Sequence, residues 1–102
     1  MGANCVDDNT AVGHEALLAF TGSNATAVGS GAMSSCTSGD KNTAVGMDSL
    51  GTIDGQYNTA LGFNALAADC VSNNVAVGSS ALLVFTGSNA TAVGSGAADA
   101  AT

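Results

Sequence analysis

A four-residue phrase, Thr-Ala-Val-Gly or a close variant, returns six times along this chain at almost constant spacing, which sets it apart from an ordinary globular domain. The copies are Thr10-Ala11-Val12-Gly13, Thr26-Ala27-Val28-Gly29, Thr43-Ala44-Val45-Gly46, Thr59-Ala60-Leu61-Gly62, Val75-Ala76-Val77-Gly78 and Thr91-Ala92-Val93-Gly94. Successive glycines lie 16, 17, 16, 16 and 16 residues apart. Self-similarity at a fixed period is the signature of a stacked-repeat architecture. The columns hold beyond the phrase. A small residue follows each glycine by three positions (Ala16, Ala32, Ser49, Ala65, Ala81, Ala97), and a larger apolar one usually comes next (Leu17, Met33, Leu50, Leu66, Leu82). Asn9, Asn42, Asn58 and Asn74 directly precede the phrase, whereas Asn24 and Asn89 stand one residue earlier.

A longer period overlies the short one. Residues 20–32 and 85–97 are identical at an offset of 65 residues, and Cys5 and Cys70 share that offset. Four short units therefore make one larger unit. The 102 residues stop partway through the second, so the segment is expected to belong to a longer chain.

Sixteen residues are too few for a helix-pair repeat, which needs about 33 or more. They suit a flattened coil of strands and tight turns, with coils stacked about 4.8 Å apart through parallel ladders. The expected fold is all-β: a single parallel β-roll or β-solenoid over residues 1–102, of about six coils anchored at Gly13, Gly29, Gly46, Gly62, Gly78 and Gly94. Two strands of roughly five residues per coil would fill the period. Side chains alternate along a strand, so the Thr and Val columns share a face. That pair, being larger and more apolar, is expected to point inward, with the invariant alanines packed against another surface such as a second subunit. The glycine column suits a positive φ or a close backbone approach.

Composition narrows the functions. Charged residues make up 9%, aromatics 4%, and the net charge is −7 with Lys41 the single Lys or Arg. A surface this poor in cations cannot neutralise phosphates and is repelled by anionic headgroups. Neither nucleic-acid binding nor membrane insertion is expected, and no run nears the roughly 20 apolar residues of a spanning helix. No signal peptide or myristoylation motif is visible in the first residues.

The units Asn9-Thr10-Ala11-Val12-Gly13-His14-Glu15-Ala16-Leu17 and Asn58-Thr59-Ala60-Leu61-Gly62-Phe63-Asn64-Ala65-Leu66 are similar to repeats of bacteriophage tail fibres. Asn74-Val75-Ala76-Val77-Gly78 resembles the head repeat of YadA-like trimeric autotransporter adhesins. The resemblance covers nearly the whole chain. It implies a left-handed roll with three chains side by side, an extracellular or virion-surface location, and a role in reach and attachment. It carries over no catalytic residue.

Residues with chemical potential are few. His14 and Glu15 have no nucleophile in their columns, so a solvated pair is expected, and with it no enzyme activity, cofactor or metal. Cys5, Cys36 and Cys70 lack zinc-site spacing. The pairs Cys36–Cys70 and Cys5–Cys70 lie about two and four coils apart, beyond the roughly 7 Å reach of an intrachain disulfide. Buried thiols are the first expectation for all three, and inter-chain bridges the alternative. The aspartates Asp7, Asp8, Asp40, Asp48, Asp54, Asp69 and Asp99 mostly fall in turns, where Asp bonds the backbone, and no calcium-roll nonapeptide is present. Asn24-Ala25-Thr26 and Asn89-Ala90-Thr91 match the glycosylation sequon. Phe20, Phe63, Phe85 and Tyr57 are expected at coil corners, with carbohydrate stacking as the other role.

The expected function is a structural or adhesive extracellular fibre segment, of a phage tail fibre or a surface adhesin. Its partners would be copies of itself, as homotrimer or polymer, and a cell-surface receptor or glycan. The alternatives are a self-assembling extracellular filament and an ice-binding solenoid presenting a threonine ladder.

Overall fold

A computed structural model of the protein describes residues 8–51, 55–68 and 71–98. Among them there is no helix. Six short strands form one sheet: β1 (Thr10–Val12), β2 (Thr26–Val28), β3 (Thr43–Val45), β4 (Thr59–Leu61), β5 (Val75–Val77) and β6 (Thr91–Val93). They pair in sequence order, all parallel and in register, Thr10 against Thr26 and Val12 against Val28, with the same pattern down to Val77 against Val93. The chain is thus a β-solenoid in which each repeat adds one coil, and each coil takes the number of its strand. The stack measures 35 × 21 × 16 Å along its principal axes.

Only one wall of the coil is strand. The return wall, expected as a second strand, is a series of turns. Its backbone visits positive φ at alternate residues, as at Gly13 (φ 129), Glu15 (φ 61) and Leu17 (φ 55). Such a path cannot be extended strand, yet it still bonds from coil to coil: Gly31 N–H donates to His14 O at 2.8 Å and Leu17 N–H to Ala32 O at 3.1 Å. Left-handed conformations cost an L-residue roughly 1–2 kcal/mol. Here they recur at Leu17, Met33, Leu50, Leu66 and Leu82, and those side chains are wholly buried. Full burial of a Leu or Met side chain is worth about 1.5–3 kcal/mol, enough to offset the strain.

The strand faces are the reverse of the sequence expectation. Ala27, Ala44, Ala60, Ala76 and Ala92 point into the core, and the Thr and Val columns point out. The reason is room. Each of the first five coils sends one large side chain inward from the turn wall (Leu17, Met33, Leu50, Leu66, Leu82), joined by a small one (Ala16, Ala32, Ser49, Ala65, Ala81). With those inside, the strand opposite can contribute only a methyl group. The alanine column is invariant because it closes the chain's own core, not because another subunit presses on it.

Two polar or backbone devices hold the stack. The glycines after the strands sit at φ near +130°, and a Cβ on Gly46 would fall 2.6 Å from Gly62 O in the next coil. The asparagines before the strands form a buried ladder. Asn58 Oδ1 accepts the Asn74 N–H at 2.9 Å and Asn58 Nδ2 donates to Val71 O at 2.9 Å, while Asn58 N–H donates to Asn42 Oδ1 at 2.8 Å. Among the described residues no buried side-chain nitrogen or oxygen lacks a partner.

Replacing Gly46 by Ala combines a nearly glycine-only conformation with a backbone clash and should cost about 3 kcal/mol or more. Asn58→Ala strands the buried Asn74 N–H and frees the part-buried Val71 carbonyl, and should cost about 2 kcal/mol. Urea unfolding followed by circular dichroism measures both; a Gly46→Ala chain as stable as the parent contradicts the glycine's role.

Candidate functional site

The outward face of the sheet is the most distinctive surface. Each strand contributes one Thr or Val and, two residues on, one Val or Leu, so the parallel register stacks them into two ladders running the length of the stack. One holds Thr10, Thr26, Thr43, Thr59, Val75 and Thr91; the other holds Val12, Val28, Val45, Leu61, Val77 and Val93. Val12 is 57% exposed and Val93 71%. No strand residue carries a charge. The Val/Leu ladder is therefore an apolar stripe on the surface, exposed at Val12, Leu61 and Val93 and half-buried at Val28, Val45 and Val77, and contiguous exposed apolar surface marks an interaction site in soluble proteins.

The coil corners flanking this face differ from coil to coil. On the exit side, the residue after each glycine is His14, Ser30, Met47, Phe63, Ser79 or Ser95. Met47 and Phe63 are 48% and 44% exposed. On the entry side, Tyr57 is 54% exposed, and Lys41 Nζ lies 5.6 Å from its ring centroid. Phe20 and Phe85 instead turn inward and plug the core, each with a glycine (Gly22, Gly87) where a Cβ would sit 2.8 Å from the ring. Of the four aromatics expected at corners, two fill them and two stand clear.

The other residues singled out from the sequence converge on no chemical centre among those described. His14 and Glu15 are exposed, with Nε2 and Oε1 4.0 Å apart, an ion-pair distance only when the imidazole is protonated. Asp40 Oδ1 accepts the Ser23 N–H of the preceding coil at 2.9 Å, a structural bond between turns. No group of three metal-ligating side chains is found among the described residues, and no cavity is present among them. Asp7, Asp54, Asp69, Asp99, Cys5 and Cys70 lie outside the described residues. Cys36 is fully buried and its thiol donates to Leu50 O at 3.2 Å. At that depth it is out of a neighbouring chain's reach unless the coil opens. In the sequon copies, Asn24 and Asn89 are exposed at φ 59 and 60, and Ala25 and Ala90 take the ladder position instead.

Comparison with protein-family models, with curated proteins and with solved structures finds no match to this chain. What the surface can do therefore rests on its own chemistry.

In the native protein Cys36 should resist an aromatic disulfide reagent and react within seconds in denaturant. Thiol release recorded by absorbance with the Cys5→Ser, Cys70→Ser chain checks this; fast native labelling contradicts the buried placement.

Proposed function

We propose that this chain is a segment of a fibre in which parallel copies lie side by side, three to a cross-section, as part of an extracellular or virion-surface attachment structure. The observation that carries the reading is the charge-free apolar ladder along the whole stack. A chain of net charge −7 repels its own copies, and a face without charges is where they can approach. Val and Leu side chains from neighbouring copies would then bury one another, each Val or Leu contributing up to about 1.5–3 kcal/mol on full burial. The similarity of the repeats to tail-fibre and trimeric-adhesin repeats points the same way. The mechanism is mechanical. Stacked backbone ladders give stiffness, and corners repeated along the rod offer many weak contacts to a receptor or glycan whose avidity accumulates.

Sedimentation equilibrium tests the reading. The parent chain should run at three chain masses, and Leu61→Asp with Val93→Asp at one, with little change in the stability of the single chain because both side chains are exposed on it. A parent that stays monomeric across the accessible concentrations contradicts it. Species that keep growing with concentration favour the end-to-end filament instead.

A second reading, ice binding, gains from one observation: the threonine column, expected inside, is outside and in register. Against it, Val75 interrupts the ladder and Leu61 protrudes beside Thr59. Purified protein with thermal hysteresis, lost in Thr26→Leu, Thr43→Leu chains, would establish it; freezing-point behaviour like that of a neutral control protein would dispose of it.

A further inference from the structure

A ladder that repeats every coil has a defect as a docking surface, because it does not say where along it a partner should stop. Thr26, Thr43 and Thr59 are chemically equivalent to a neighbour sliding past, and so are Val12, Val28, Val45, Val77 and Val93. Slipping by one coil, about 4.8 Å, leaves nearly the same contacts. Sheets with repetitive faces are prone to such register errors, and coiled coils fix the same problem with one exceptional residue in an otherwise uniform seam.

Besides Val75 in the threonine ladder and His14 at the first exit corner, the large departures from equivalence gather at coils 3 and 4. Coils 3 and 4 alone carry Met47 and Phe63 at the exit corner, where coils 2, 5 and 6 have serine. Coil 4 alone has Leu61 in the valine ladder, and it alone has an aromatic, Tyr57, at the entry corner. All four are large apolar side chains left exposed. Phe63 is only partly covered by its own chain, unlike the buried Phe20 and Phe85, and it stands one coil from Met47 at the same corner.

We propose that Met47 and Phe63, with Leu61 beside them, fix the axial register between parallel copies, the partner being a second copy of this chain. This rests on the side-by-side reading above. With copies level, Met47 and Phe63 of one chain stand at the height of their counterparts and apolar corner meets apolar corner. Slipped by one coil, Phe63 of one copy comes level with Ser79 or with Met47 of the other. Slipped by two, it faces Ser95 or Ser30. Every slip trades a matched apolar contact for a hydroxyl or a size mismatch, so the level arrangement is preferred.

Cysteines placed on the ladder report the register. In a Cys5→Ser, Cys70→Ser background, chains carrying Val28→Cys (coil 2), Val77→Cys (coil 5) or Val93→Cys (coil 6) are mixed in pairs after reversible dissociation, oxidised and analysed by peptide mass. Level parallel copies give 77–77 and 93–93 links, at least about tenfold over 77–93 links, the ratio set by a preference of about 1.4 kcal/mol. Met47→Ser with Phe63→Ser should leave the chains associated and bring that ratio down several-fold, Leu61 being the one departure left in the valine ladder. Equal 77–77 and 77–93 yields in the parent, with association intact, overturn the register proposal and leave the side-by-side reading standing. Dominant 28–77 links mean antiparallel copies and overturn it too, as does a tenfold ratio that survives in the double variant. A parent that is monomeric by sedimentation fails the side-by-side reading, and the register proposal with it.

Discussion

The space inside one coil governs this structure. The walls are a three-residue strand and a chain of turns, and between them there is room for one large side chain and two small ones. Leu17, Met33, Leu50, Leu66 and Leu82 fill that space from the turn wall, which leaves the strand wall a methyl group per coil. The alanine column follows, and the outward placement of Thr and Val follows from the alanines, because side chains alternate along a strand. The apolar ladder in solvent is thus a consequence of a thin core. Stacking the coils buries the alanines and the turn-wall side chains but leaves Val12, Leu61 and Val93 exposed on the single chain.

The same closeness explains the polar devices. Coils a strand spacing apart bring backbone against backbone at the exit turn, where only glycine fits, as Gly46 against Gly62 illustrates. Where the chain enters the strand, its turn carbonyls and the next coil's N–H face inward and need partners. Asn42, Asn58 and Asn74 supply both donor and acceptor in coils 3, 4 and 5.

Much of this is legible in the residues. The six phrases at 16- and 17-residue spacing determine the number of coils, their parallel register and which residues stack, because any other register would break every column at once. The direction of the alanines is not recovered by the same reasoning, although a signal for it exists. A position that is Ala in all six copies, against neighbours that vary between Thr and Val or Val and Leu, marks the confined column; ranking faces by hydrophobicity alone puts the larger residues inside. The return wall escapes for a related reason. Leucines in left-handed conformation have no local signature, since only burial makes them tolerable. The exposed pair Met47 and Phe63 is visible as a departure from serine in the same column, but a single column cannot say whether a large residue there plugs a corner, as Phe20 does, or stands free of it.

The face assignment carries everything else, and a pair of substitutions on adjacent residues of β4 tests it directly by thermal melting of the single chain. If alanine points inward, Ala60→Val overpacks the core and costs about 1–3 kcal/mol. Thr59→Val, which reproduces what coil 5 already has at Val75, should then leave stability unchanged within about 0.5 kcal/mol. An Ala60→Val chain as stable as the parent would mean that the alanines do not close the core, that the ladders face inward and that no apolar stripe is presented to a partner.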